Sequence, residues 1–196
     1  MSVHKVVRRI VKQNPISVVD ADGRVSVSHM KTLPIELAVA RKSAKYNRLG
    51  LFLPTTIVQE GDYVIQAGET YIVGNLSPDV HRGKVVRLVA ELIWCSHLGL
   101  NAYRADIVRN AAGSMVGEGA PVTIASGINL LLTTSDLFVE GARDVDIGYW
   151  NAYISKHVPL LQAEDYITID GRHYEVKWVK NETQGALTYR LVKRTR

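Results

Sequence analysis

One stretch of this chain is written twice, and that repetition constrains the fold more than anything else in the sequence. Glu60-Gly61-Asp62-Tyr63-Val64-Ile65-Gln66-Ala67-Gly68-Glu69-Thr70-Tyr71-Ile72-Val73 returns as Ala163-Glu164-Asp165-Tyr166-Ile167-Thr168-Ile169-Asp170-Gly171-Arg172-His173-Tyr174-Glu175-Val176, at an offset of 103 residues (62 to 165) and without a gap. Asp62 falls on Asp165, Tyr63 on Tyr166, Gly68 on Gly171, Tyr71 on Tyr174 and Val73 on Val176. Upstream, Gln59 falls on Gln162; downstream, Arg87-Leu88-Val89 falls on Arg190-Leu191-Val192. A self-similarity of this length points to one architectural unit used twice.

Each copy reads as a tight β-hairpin. A two-residue turn needs positive φ at both central residues, which Asp-Gly supplies readily and Ala-Gly less so. Turns at Asp170-Gly171 and Ala67-Gly68 set Val64 opposite Tyr71 and Ile167 opposite Tyr174. The same face carries Val73 and Val176 and is the expected core face. The other face differs between copies: Ile65, Thr70 and Ile72 in the first, Thr168, His173 and Glu175 in the second. These are expected to be outer surfaces. Asp62 and Asp165 open the hairpins, where an Asp carboxylate bonds nearby backbone N–H groups. That role is preferred here to paired acid–base work.

The chain has 196 residues, enough for two lobes of ordinary domain size, and the repeat divides it into 1–97 and 98–196. A hydrophobic fraction of 46% supports real cores. The net charge of +5 permits nucleic acid or an acidic partner without demanding either. Cys95 is the single cysteine, so no intrachain disulfide is expected. The N-terminal residues lack the apolar segment of a signal peptide, and no run is long enough for a spanning helix. The expectation is a chain that is not secreted and has no membrane partner.

Short apolar runs separated by turn residues fill most of the chain. Val3, Val6, Val7, Ile10 and Val11 follow a helical spacing in β-branched residues, which leaves helix or strand open. Ile16–Val19 and Val25–Val27 read as strands about an Asp-Gly turn. Thr32 to Tyr46 reads as a helix, with Thr32 as cap and Pro34 in its first turn. Pro78 to Lys84 reads as a polar loop and Lys84 to Trp94 as a long strand. Trp94 to Ala105 reads as the joint between lobes, Tyr103 to Val108 as the opening strand of the second, and Gly113 to Gly119 as a glycine-rich loop. Val122–Ala125, Ile128–Thr133 and Leu187–Val192 read as strands, Ser135–Val139 as one helical turn and Gly141–Gly148 as an acidic turn. The expected fold is mainly β: two tandem small β-barrel lobes with a few short helices.

Catalytic and metal-binding patterns are scarce. The histidines at 4, 29, 81, 97, 157 and 173 are scattered, and Cys95 with His97 makes at most a chance pair. The glycine-rich loop lacks the Gly-Lys-Ser/Thr ending of a phosphate cradle. No nucleophile elbow is present. No catalytic residue, cofactor or metal ligand is therefore expected. Two stretches remain for binding. Tyr149, Trp150 and Tyr153 form an aromatic cluster that reads as core, as an interface, or as a stacking platform for single-stranded nucleic acid. Arg190, Lys193, Arg194 and Arg196 form the most basic stretch, readable as a solvated terminus or as a contact to DNA or an acidic partner.

The two hairpins, above all Ala163-Glu164-Asp165-Tyr166-Ile167 with Gly171-Arg172-His173-Tyr174-Glu175-Val176 and the basic stretch after it, resemble the small β-barrel head–tail joining proteins of tailed bacteriophages, of the head-completion or stopper type. The resemblance covers about residues 101–196, and the first lobe shares it through Glu60 to Val73. It implies a structural virion protein without catalytic residues, assembled as a homo-oligomeric ring in the neck between head and tail. The implied partners are the portal, adaptor, tail terminator or tube proteins, further copies of the chain, and packaged DNA in the channel. The duplication departs from the single barrel usual in that family. A tandem of SH3-like or OB-like barrels that binds nucleic acid is the competing reading.

Overall fold

The computed structural model describes residues 11, 14–34, 47–105, 107–109, 111–112, 115–134, 149–180 and 185–194. Strands carry most of them. In the first half these are β1 (Pro15–Val19), β2 (Val25–Pro34), β3 (Asn47–Phe52), β4 (Tyr63–Gln66), β5 (Glu69–His81) and β6 (Lys84–Trp94). They close into a barrel in the order β1-β2-β3-β6-β5-β4. The seam is the antiparallel pairing of β1 with β4, Val18 opposite Val64.

The second half holds β7 (His97–Arg104), β8 (Ile107–Arg109), β9 (Met115–Glu118), β10 (Val122–Thr134), β11 (Tyr149–Ser155), β12 (Tyr166–Ile169), β13 (Arg172–Lys180) and β14 (Ala186–Lys193). Its barrel closes in the order β10-β11-β14-β13-β12-β7, and β8 and β9 form a separate two-stranded sheet. Read from β7, this is β7-β10-β11-β14-β13-β12, the same circuit as the first barrel with β8–β9 inserted after its first strand. The duplication thus extends beyond the hairpin to a whole barrel. Two tandem closed β-barrels are the architecture.

Alternation builds each interior. In β1, Ile16 and Val18 point inward beside half-exposed neighbours. They join Met30, Phe52, Val64 and Leu92 in one buried cluster. Gly50 sits on β3 where a Cβ would lie 3.0 Å from Leu92, Met30 and Phe52 side-chain atoms. The missing side chain makes room for the larger ones. Ala102, Ile128, Leu130, Ile154, Ile167 and Leu191 are the buried counterparts in the second barrel. Each such Val, Leu, Ile, Phe or Met side chain contributes about 1.5–3 kcal/mol on burial.

The chain divides into two compact units, Met1–Cys95 with Ser155–His157 and Glu182–Leu187, and Ser96–Ile154 with Val158–Asn181 and Thr188–Arg196. The change of unit falls between Cys95 and Ser96, so His97–Arg104 is not a joint but the strand that closes the second barrel against β10 and β12. Pro78 to Lys84 is not a loop either. β5 runs to His81, and the turn is Arg82-Gly83, both at positive φ (50° and 74°). Thr32 caps no helix: it lies in β2 opposite Gly50. Met115–Glu118 of the expected glycine-rich loop is a strand paired with Ile107–Arg109. Val122–Ala125 and Ile128–Thr133 are one strand, broken in register near Gly127, whose φ is 70°. No helical element stands among the described residues. The expected helices at 35–46 and 135–139, the segment at 3–10, the acidic turn at 141–148 and Arg196 lie outside them.

Candidate binding surface

The repeated hairpins form alike to the residue. Tyr63–Gln66 pairs with Glu69–Ile72 and Tyr166–Ile169 with Arg172–Glu175, so Val64 faces Tyr71 and Ile167 faces Tyr174. Both turns hold two positive-φ residues, Ala67 (51°) with Gly68 (83°) and Asp170 (49°) with Gly171 (73°). At the mouth, the N–H of Gln59 donates to Asp62 Oδ2 at 2.7 Å, and the N–H of Gln162 donates to Asp165 Oδ2 at 2.7 Å. The backbone repeats as well: Val73 N–H donates to Asp62 O, and Val176 N–H to Asp165 O. These carboxylates shape the chain's entry into a strand.

The copies then diverge. Asp165, 1% exposed in its side chain, also receives Arg104 from β7 through Nε at 2.7 Å and Nη2 at 2.8 Å. Burial raises the Asp62 carboxyl above its ordinary value, against the lowering pull of the Gln59 N–H. Tyr71 is buried beside Glu69, to which its hydroxyl donates, and burial pushes its phenol up to about 12. Of the three residues expected on an outer surface, Ile65 is exposed, whereas Thr70 and Ile72 are buried with Ile93, so that face of the first hairpin is covered in part. In the second hairpin Thr168, His173 and Glu175 stay half-exposed. Alternation identifies which face a residue takes but not whether further chain covers that face.

The outer face of the second barrel gathers Tyr149, Tyr153, Arg190 and Arg194 of the aromatic and basic residues singled out above. Alternation along β11 separates the cluster: Tyr149 and Tyr153 take the outer face, and Trp150 turns toward Tyr174, edge-on at 6.1 Å. On β14, Arg190 lies between Tyr149 and Trp178, its guanidinium carbon 4.9 Å and 5.0 Å from their ring centres. Trp178 was not singled out in the sequence. A β-bulge between Val176 and Trp178 turns it outward, opposite Arg190. Farther along, Arg194 stands 5.7 Å from the ring of Tyr166, which stacks on Tyr103 at 5.4 Å and meets His173 edge-on. Lys193, opposite Tyr174, is exposed at the barrel end. Cys95 is buried, and His97 bonds Ser96 Oγ through Nδ1 while its Nε2 lies 3.7 Å from Asp170 Oδ2. Among the described residues no group of three or more His, Cys, Asp or Glu side chains gathers in a metal-binding arrangement.

No family model, curated protein or solved structure matches the chain.

Proposed function

We propose that this chain is a non-catalytic structural protein that assembles as a homo-oligomeric ring in the neck of a tailed phage, between the DNA-filled head and the tail. The observation that carries the reading is the tandem of closed barrels with one circuit, each entered through the same Gln–Asp hairpin. A repeated small barrel is what the resemblance of Ala163–Val176 to head-completion proteins, shared by the first lobe through Glu60 to Val73, would require of each half. A closed barrel has no sheet edge in its wall, so it does not aggregate by strand pairing. Contacts with neighbours then fall to whatever projects from it. In the first barrel that is the long β5–β6 ribbon, with Val80 and Val85 exposed toward its tip. Exposed valines on a two-stranded ribbon suit docking onto an adjacent subunit.

The test is cryo-electron microscopy of particles from cells that express the chain. Paired barrels in a ring between capsid and tail are the expected density. Particles that lack the chain would overturn the assignment. Replacing Val80 and Val85 together by Lys should leave the folded chain intact and block its incorporation into particles; normal incorporation would exclude the ribbon as the interface.

A further inference from the structure

Arg190 is unusual in how its charge is held. Its guanidinium lies between two rings, and its Nε is buried with no hydrogen-bond partner among the described residues. Among the described residues no carboxylate pairs with it; Glu175, on the neighbouring strand, is paired with Lys177. Ring quadrupoles attract a guanidinium at its faces, yet they accept none of its in-plane N–H donors. The two ring contacts hold the guanidinium from its sides and leave its terminal N–H groups for an oxyanion. The residue keeps solvent-accessible surface although Nε keeps none. The flanking rings are accessible too, Tyr149 at 37% and Trp178 at 38%.

The arrangement recurs on the same strand. Arg190 and Arg194 are four residues apart along β14 and its extension, on the order of 13 Å at strand rise. The ladder continues to Arg194, whose N–H donates to His173 O. Arg194 lies over Tyr166, which stacks on Tyr103. Two arginine-on-aromatic stations thus share the outer face of the second barrel.

From this we infer that the outer face of β11, β14, β13 and β12 binds single-stranded nucleic acid, with Arg190 holding a phosphate and Tyr149 and Trp178 offering ring surface to bases. Charge and shape favour this occupant. The chain is basic, and a stacked arginine beside accessible rings meets both parts of a nucleotide, whereas an acidic peptide would use the arginine alone. The inference does not rest on the neck assignment and stands or fails separately from it.

Fluorescence anisotropy with the full chain tests it, using labelled oligothymidylate, a duplex of mixed sequence and polyglutamate. Oligothymidylate should bind most tightly and quench tryptophan fluorescence. Arg190→Ala and Trp178→Ala should each weaken binding by about tenfold or more, the loss expected for one stacked base. Arg190→Lys keeps the charge but loses the planar fork, and should weaken it nearly as much. Arg190→Ala should also flatten the salt dependence by about one phosphate contact. Circular dichroism would confirm folding of each variant, and Arg24→Ala, in the exposed turn after β1, is the control. Equal binding of oligothymidylate by Arg190→Lys and the unaltered chain would overturn the inference. Tighter binding of polyglutamate or duplex than of oligothymidylate would do the same.

Discussion

Asp62 and Asp165 show how a single side chain is used in a repeat. Each accepts the N–H of the glutamine three residues earlier at 2.7 Å, inside the fold. Hydrogen bonds to a charged group contribute about 1.5–3 kcal/mol, and Asp62→Ala or Asp165→Ala should lower stability to urea by that order. Asp165→Asn should also be destabilising, because it keeps an acceptor for Gln162 but removes the charge that Arg104 pairs with. If Asp165→Asn unfolds at the same urea concentration as the unaltered chain, the ion pair contributes nothing. Cys95 makes a second test. Burial pushes its thiol from 9.0 up to about 12. A raised folded pKa means that the fold favours the protonated form. The stabilising contribution is full below about pH 9 and is lost as pH rises from 9 toward 12. Tyr71 adds to the same loss from pH 10 upward. Urea midpoints should therefore fall steeply across this window, and less so in Cys95→Ala. A thiol reagent at pH 8 should label Cys95 only in denaturant; rapid labelling of the native chain would contradict the burial.

At the level of the element, turn chemistry decides. Arg82-Gly83, Ala67-Gly68 and Asp170-Gly171 all take two positive-φ residues, the geometry that matches strand twist in a two-residue hairpin. Ala67 is the misfit, since its Cβ is strained at φ 51°. Ala67→Asn should stabilise the first hairpin by about 1 kcal/mol, the lower end of the left-handed penalty, read from the thermal midpoint. Gly68→Ala should cost a similar amount, although nothing lies within 4 Å of the added Cβ. Gly50 is limited by space instead. Gly50→Val should overpack the first barrel against Met30, Phe52 and Leu92 and cost about 1–3 kcal/mol. Pro78 and Asp79 give the Pro78 to Lys84 stretch the composition of a loop, yet only Arg82-Gly83 makes the turn. Pro78 sits on β5 beyond the residues that pair with β4, where a missing N–H breaks no ladder bond to that strand.

Across the whole molecule, the repeated circuit has more consequence than any one contact. The identities that reveal it cluster in Gln59–Val73 and Gln162–Val176, yet all six strands of each barrel correspond in order. The strands before the hairpins share the circuit without sharing residues, because a barrel interior accepts any apolar side chain of suitable volume. Outer faces carry no such requirement, and there the halves differ: the first hairpin buries Thr70 and Ile72, and the second barrel presents Arg190 beside the Tyr149 ring.

The sequence by itself determined the β class, the repeat and its offset, the hairpin turns, and the inward placement of Val64, Tyr71, Ile167 and Tyr174. Those features are local: alternation, turn residues and self-similarity all act within a few positions. Only the tertiary structure decided that His97–Arg104 closes a barrel, that Arg104 reaches Asp165 across 61 positions, and that Tyr149, Arg190 and Trp178 stand together. Closure and pairing depend on strand register between distant segments. One inserted residue at the Val176/Trp178 bulge is enough to move a tryptophan from the inner face to the outer.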